Sequence, residues 1–243
     1  MFKYIKAVFR GAYKILFAYP KIRRYAKNKD KYPLKERYEY AKKLINIAFK
    51  SLDTEIIVEG FEKVDPNETY LFVGNHQSFM DALAMISVFD EPMSFVTKIE
   101  SKKYPFAGKV CEFIDAIFFD RDNIKDSVRM IKDCKVKLNN NTNVVIFPEG
   151  TRSKDENHMP GEYKAGALKS AYDTSKRIVV LMLDGSYKVL SRKYKGKQVI
   201  RVKVLEIIGT DVYKKMNTSQ LSEYIRKITE ENIIENRKHL SNS

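Results

Sequence analysis

The chain has 243 residues, 44% of them hydrophobic, which is enough to bury the core of one domain. Its longest uncharged stretch, Thr69 to Met80, is too short for a membrane-spanning helix. Charges recur throughout the first 24 residues, which argues against a cleavable signal peptide.

Most of the formal net charge of +14 lies in the first 50 residues, which hold 15 Lys and Arg against three acidic residues. Such a basic segment could bind nucleic acid. In its first predicted helix, however, four basic residues fall within an arc of about 80° on an otherwise apolar helical wheel and form a basic stripe. That pattern is typical of a helix lying in a membrane interface. We therefore expect residues 1–50 to bind an anionic membrane surface and not nucleic acid. The stripe contains Lys3, Lys6, Arg10 and Lys14, and the apolar residues include Phe2, Ile5, Phe9, Leu16 and Phe17.

Pro20 and the basic run that follows predict a turn or a short second element after this helix. Residues 33–52 then have the period of a second amphipathic helix. The interpretation is a two-helix membrane-docking unit, residues 1–52, ahead of a catalytic domain, residues 53–243. The expected location is the cytoplasmic face of the cell membrane, where the protein is peripheral.

From residue 55 onwards, short apolar runs alternate with helical patterns, which predicts an α/β fold with a largely parallel sheet flanked by helices. Ligands of such sheets bind at the carboxyl ends of the strands. Strands are predicted at residues 55–58, 70–73, 93–97, 116–119, 144–147, 178–183 and 199–208. Helices are predicted at residues 81–89, 105–114, 124–138, 164–175 and 219–236.

The segment Asn75-His76-Gln77-Ser78-Phe79-Met80-Asp81 follows the second predicted strand and begins a helix. In a straight helix two residues five apart point in different directions, so His76 and Asp81 can meet only if His76 lies in the loop. A histidine whose ring is oriented by a carboxylate can act as a general base and take a proton from an alcohol. A lone histidine at a strand end is more often structural. Ser78 is interpreted as a helix cap and not as a nucleophile.

Two further segments end predicted strands in the same way: Phe118 to Arg121, and Val144 to Ser153, which contains Pro148-Glu149-Gly150-Thr151-Arg152. Together with the histidine segment, and in this order, they resemble the motifs of the glycerolipid acyltransferase family, specifically the 1-acylglycerol-3-phosphate acyltransferases. The resemblance covers residues 56–188. One departure is the strand at residues 178–183, which lacks the proline usual in the family's fourth motif, so acyl-chain specificity and acceptor subclass stay open.

The resemblance implies that His76 and Asp81 are catalytic and that the other two segments hold a glycerol-phosphate acceptor. Arginine suits a phosphomonoester because its planar fork pairs with two oxygens. The substrate-binding candidates are Lys98, Arg121, Glu149, Gly150, Thr151 and Arg152. Glu149 is expected to orient Arg152 or a substrate hydroxyl, and backbone amides at the helix start are candidate oxyanion donors.

No metal site and no cofactor are expected, because the three histidines and two cysteines show no ligand spacing. Cys111 and Cys134 are expected to be free thiols.

The expected function is transfer of a fatty acyl group from acyl-carrier protein or acyl-coenzyme A to the sn-2 hydroxyl of lysophosphatidic acid, which gives phosphatidic acid. Two alternatives remain: the same chemistry on glycerol 3-phosphate or another lysophospholipid, and a non-enzymatic basic protein that binds membranes or nucleic acid.

Overall fold

The computed structural model of the protein describes Gly11 and residues 13–241. Its centre is a seven-stranded sheet with the order β1-β7-β6-β2-β5-β3-β4. β6 and β7 run antiparallel, and every other neighbouring pair is parallel, so the predicted largely parallel sheet is confirmed. The strands are β1 (Thr54–Glu59), β2 (Leu71–Gly74), β3 (Met93–Lys98), β4 (Ile117–Phe119), β5 (Asn143–Ile146), β6 (Ile178–Asp184) and β7 (Gln198–Ile208).

Helices flank this sheet, and two of them precede it, as the sequence predicted. The segment predicted as one helix at residues 164–175 is divided into a 3-10 turn, Ala165–Leu168, and a short α-helix. The helices are α1 (Tyr13–Lys27), α2 (Leu34–Ser51), α3 (Met80–Val88), α4 (Pro105–Phe113), α5 (Ile124–Asn139), α6 (Lys169–Thr174), α7 (Ser186–Val189), α8 (Thr210–Tyr213) and α9 (Thr218–Ser241).

The turn predicted at Pro20 is wrong, because α1 continues through this proline to Lys27. An internal proline removes one helical hydrogen bond and crowds the preceding turn. Burial outweighs that cost here, since Ala18 and Ile22, on either side of Pro20, are buried in the main hydrophobic cluster.

Gly11, within the predicted first helix, has φ of +120°, which is far from the α-helical value. Lys14 of the predicted basic stripe lies in α1, and the other members of the stripe are Lys3, Lys6 and Arg10. Those three residues, with Phe2, Ile5 and Phe9, lie outside the described residues.

Side chains of the sheet alternate between two hydrophobic clusters, one on each face. In β2, Phe72 belongs to the cluster under α1, α2 and α3, whereas Leu71 and Val73 belong to the cluster under α5, α6 and α9. Both faces are thus buried, as expected for parallel strands. The ends of the strands reach solvent, and polar side chains can gather there.

The N-terminal helices are attached to the core by a buried ion pair as well as by apolar contacts. Arg37 of α2 is 2% exposed, and its Nη2 lies 2.9 Å from Asp115 Oδ2, just before β4. Lys29 and Lys137 also pair with Asp115. Burial by itself raises the pKa of Asp115, but the hydrogen bonds from Arg37 and Lys29 outweigh it and lower that pKa to about 2.

Candidate active site

The predicted histidine–aspartate pair is present in the structure. His76 lies in the loop after β2, Asp81 lies in the first turn of α3, and His76 Nδ1 is 2.8 Å from Asp81 Oδ2. Asp81 is fully buried, and the His76 side chain is 18% exposed. A carboxylate can only accept a hydrogen bond, so Nδ1 carries the proton and Nε2 remains as the basic nitrogen.

Asp81 also organises the backbone of the loop. Its Oδ2 accepts hydrogen bonds from the amides of Gln77 and Ser78, each at 2.7 Å. Ser78 Oγ accepts from the amide of Met80 at 3.3 Å. Asp81 and Ser78 thus cap backbone amides at the start of α3, although the N-cap position of this helix is Phe79, which makes no side-chain cap hydrogen bond. The amides of Gln77, Ser78 and Met80 are therefore not free to stabilise an oxyanion, because the caps already occupy them.

The backbone and ring of His76 are fixed by the segment that follows β5. Its amide donates to Glu149 Oε1 at 2.7 Å, and its carbonyl accepts from the amide of Ser153 at 2.7 Å. The imidazole stacks on Phe147, with 4.3 Å between ring centroids and 10° between planes. Few orientations remain for the ring.

Glu149 has no hydrogen bond to Arg152 and does not line the cavity; its partners are backbone amides. It is 6% exposed, and its second oxygen accepts from the amide of Gly161 at 2.9 Å. Burial raises the pKa of Glu149, although these amide hydrogen bonds and nearby His76 act in the opposite direction. Since both oxygens are used by backbone amides, Glu149 supports the His76 loop.

The other predicted residues gather at one edge of the sheet. His76, Arg152, Lys98 and Arg121 follow β2, β5, β3 and β4, which are four adjacent strands in the sheet order. All four line one cavity of about 770 Å³. Gly150 and Thr151 line it too. Gly150 has φ of +68°, a conformation that favours glycine and turns the chain toward Arg152.

The cavity wall contains both apolar and cationic groups. Arg121 Nε is buried without a hydrogen-bond partner among the described residues, and burial lowers the pKa of its guanidinium. Lys98 is already paired with Glu100 Oε1 at 2.8 Å, and that hydrogen bond raises the pKa of Lys98. The apolar residues of the wall include Leu83, Ile86, Phe95, Val110, Ile114, Phe119 and Met130.

Sequence reasoning missed several residues of this region. Phe147 and Gln77 belong to motifs that were identified, but nothing in their spacing indicated a contact with the histidine loop. Lys164 lines the cavity beside Gly150. Arg237, near the end of α9, reaches Asp184 at the end of β6, and no local pattern connects residues so far apart.

Both cysteines are free, as expected, and burial raises the pKa of Cys111 to about 11 and of Cys134 to about 12. Within the described part of the chain, no group of three or more His, Cys, Asp or Glu side chains could hold a metal ion. No described helix is long and apolar enough to cross a membrane.

A histidine–aspartate pair at the carboxyl edge of an α/β sheet, beside a cavity with apolar and cationic residues, is the arrangement expected of an active site. Residues 55–183 match the family model described as Acyltransferase. This match spans more than half of the chain, and the chain belongs to the acyltransferase family.

Similar proteins carry more specific names. The 1-acyl-sn-glycerol-3-phosphate acyltransferase of Helicobacter pylori is 31% identical over 172 residues, which are 67% of this chain and 71% of that protein. A probable 1-acyl-sn-glycerol-3-phosphate acyltransferase of Mycoplasma pneumoniae is 30% identical over 162 residues, 65% of this chain and 59% of that relative.

The fold is similar to a solved structure over almost the whole chain. The crystal structure of the 1-acyl-sn-glycerophosphate (LPA) acyltransferase, PlsC, from Thermotoga maritima aligns with a TM-score of 0.71. The alignment covers 97% of this chain and 98% of that one at 21% identity, and it supports the fold.

Proposed function

We propose that this acyltransferase transfers a fatty acyl group from a thioester to the sn-2 hydroxyl of 1-acyl-sn-glycerol 3-phosphate, which yields phosphatidic acid. The observation that carries the proposal is the bond between His76 Nδ1 and Asp81 Oδ2 beside a cavity lined by both apolar and cationic residues. Such a cavity suits a molecule with acyl chains and a phosphate group. The names of the similar proteins agree with this substrate.

In the proposed reaction, His76 Nε2 removes the proton of the acceptor hydroxyl as its oxygen attacks the thioester carbonyl. Asp81 stabilises the imidazolium that forms. Collapse of the tetrahedral intermediate breaks the carbon–sulfur bond, and the imidazolium returns the proton to the leaving thiolate. No enzyme nucleophile is needed, because a thioester is already activated.

Arg121 and Arg152 are the proposed phosphate ligands. For both guanidinium groups, no ion pair with another described residue is present, so each can bind phosphate without breaking an existing contact. Lys164 joins them on the cavity wall. Lys98 is the weaker candidate of the predicted set, because a phosphate must compete with Glu100 for its ammonium group.

Membrane association is proposed through α1. Its Leu16 and Phe17 are 69% and 81% exposed, which is unusual for adjacent large apolar side chains. α1 packs against α4, where the rings of Tyr25 and Phe113 stack. Exposed Tyr104, directly before α4, lines the cavity. Binding of the exposed face of α1, with Leu16 and Phe17, to a membrane would bring the cavity near the membrane surface, where a lysolipid acceptor is found.

The test is an acyltransfer assay on a panel of acceptors. Lysophosphatidic acid, glycerol 3-phosphate and other lysophospholipids are offered with acyl-carrier protein and coenzyme A thioesters, to the wild type, His76→Ala and His239→Ala. His239 is an exposed control near the end of α9. The expected result is phosphatidic acid from wild type and control, with a 10²- to 10⁴-fold lower rate, roughly, for His76→Ala. Transfer to another acceptor alone would overturn the proposed substrate.

A further inference from the structure

The loop that carries His76 is connected through Gln77 to a part of the molecule outside the cavity. The Gln77 amide shares Asp81 Oδ2 with the ring of His76. The Gln77 side chain is 4% exposed, and its Oε1 accepts from the amide of Gly185 at 3.0 Å. Its Nε2 donates to His158 O and to Asp184 Oδ1, each at 3.1 Å. Every polar group of Gln77 outside its carbonyl is thus in use.

Asp184 ends β6 and is held by the last helix of the chain. Arg237 of α9 donates from Nη2 to Asp184 Oδ1 at 2.7 Å and from Nε to Asp184 Oδ2 at 3.1 Å. Asp184 is 7% exposed. Burial by itself raises the pKa of Asp184, but the hydrogen bond and charge of Arg237 outweigh it and lower that pKa.

Arg237 also contacts the segment that holds the backbone of His76. Its Nη1 donates to the carbonyl of Asn157 at 2.6 Å. Asn157 lies between Ser153, whose amide bonds the carbonyl of His76, and Gly161, whose amide bonds Glu149. One guanidinium therefore connects both supports of the histidine: Gln77 through Asp184, and the segment of residues 153–161 directly.

We propose that Arg237 is a positioning residue for His76, which acts through Asp184 and Gln77 and through the segment of residues 153–161. The inference rests on the proposed function, in which His76 is the base. Arg237 is absent from the cavity wall, so it has no direct contact with substrate to lose. Without its guanidinium, Asp184 and the Asn157 carbonyl both lose the donor that fixes them, so Gln77 and the His76 loop are held less firmly whether or not Asp184 is charged.

Four variants test this role. Arg237→Met removes the charge, Arg237→Lys retains it without the planar fork, and Asp184→Asn/Arg237→Met removes both charges so that no buried carboxylate is left unpaired. Arg226→Met is the matched control, because Arg226 lies on the same helix with similar exposure and, among the residues that the structure describes, forms ion pairs only with Glu223 and Glu230. Thermal unfolding curves of the wild type and all variants are measured first, and the activity assays are run at a temperature at which every protein is folded.

At that temperature, kcat is expected to fall about 10- to 100-fold in Arg237→Met and in the double variant, with acceptor KM within about twofold. Arg237→Lys should recover part of the loss, and Arg226→Met should match the wild type. A purely structural ion pair would lower the unfolding temperature and leave kcat of the folded protein unchanged. That result, or a rise in KM alone, would overturn the proposal.

A second measurement does not depend on activity. In protein labelled with nitrogen-15 histidine, the Nδ1–H signal of His76 is identified by its loss in His76→Gln. It is expected to be sharp and slow to exchange in the wild type and Arg226→Met, and broadened or lost in Arg237→Met. An unchanged signal would contradict the positioning role. If the wild type transfers to no acceptor, the proposed function fails, while this comparison still decides the role of Arg237.

Discussion

At His76, the ring, the amide and the carbonyl each have a separate partner before any substrate binds: Asp81, Glu149 and Ser153. Stacking on Phe147 adds a fourth constraint. Such preorganisation reduces the reorganisation needed when the base takes its proton.

Asp81→Asn removes the negative charge of Asp81 and keeps the size and shape of its side chain. Because Oδ2 accepts all three hydrogen bonds, an asparagine oxygen can retain them, while the negative charge that stabilises imidazolium is lost. We expect kcat to fall on the order of 10²-fold or more, with the unfolding temperature little changed. Asp173→Asn, which disturbs only a surface pair with Lys135, is the control for steady-state kinetics. Full turnover in Asp81→Asn would contradict the proposed mechanism.

Arg152→Ala is predicted to act on acceptor binding. Removing a charged hydrogen bond to phosphate costs roughly 1.5–3 kcal/mol, which raises acceptor KM about 10- to 100-fold with donor KM nearly unchanged. The same direction is expected for Arg121→Ala. Arg177→Ala is the control, since Arg177 pairs with Glu68 before β6, outside the cavity. Equal increases in both KM values would mean that these arginines shape the site and do not bind phosphate.

At the scale of elements, α1 has two different faces. Ala18 and Ile22 are buried against the core, whereas Leu16 and Phe17 are exposed. The buried face explains why the helix survives Pro20. On the exposed face, Phe17 makes an edge-to-face contact with Tyr13 of the same helix and is not part of the core, so its substitution is not expected to unfold the protein.

Leu16→Ser/Phe17→Ser is therefore predicted to weaken binding to anionic vesicles at least about tenfold, because two large apolar side chains no longer enter the bilayer. Activity on detergent-dispersed acceptor should remain at the wild-type level. Ile124→Ser is the control, since Ile124 is 83% exposed at the start of α5, on the other face of the sheet. Vesicle sedimentation measures the effect, and undiminished sedimentation of the double variant would refute the docking role of this face.

At the scale of the whole molecule, the N-terminal helices and the sheet share one hydrophobic cluster. Tyr38, Ile45 and Phe49 of α2 are buried in it together with Phe72 and Leu181 of the sheet. The predicted boundary between residues 52 and 53 coincides with the junction of α2 and β1. We infer, however, that the N-terminal helices and the sheet unfold together. If either part unfolded alone, the shared cluster would be exposed to water and the free energy of burying it would be lost.

The ion pair of Arg37 and Asp115 predicts how this joint stability depends on pH. The pKa of Asp115 is about 2 in the folded protein, below the 3.8 that is usual for an aspartate side chain. The lowered pKa stabilises the fold above pH 3.8, and this contribution, up to about 2 kcal/mol, is lost as pH falls toward 2. Urea unfolding of the wild type at pH 5, 4 and 3 should show the decline.

Asp115→Asn isolates that contribution. It should lower stability at pH 5, because buried Arg37 loses its partner, and it should show a smaller further decline toward pH 3. Asparagine tolerates the positive φ of +54° at this position, so backbone strain is not introduced. Asp173→Asn should decline like the wild type. Parallel declines in Asp115→Asn and the wild type would show that Asp115 is not a source of the pH dependence.

The sequence by itself determined all seven strands, the loop position of His76 and the helical position of Asp81. Those features depend on local periodicity and on a spacing of five residues, which are readable along the chain. It also determined that Arg121 and Arg152 follow strands, and hence that they lie at the same edge.

Only the tertiary structure decided the path of α1 and the role of Glu149. Burial of Ala18 and Ile22 outweighs the local preference of Pro20 to end a helix, and burial is not a local property. Glu149 accepts hydrogen bonds from the amides of His76 and Gly161, which are distant from it along the chain. Arg237 of the last helix pairs with Asp184 at the end of β6. The physical reason is the same in each case. The residues that bury α1 or bond Glu149 and Asp184 are distant in sequence, and only the packing of the fold brings them into contact.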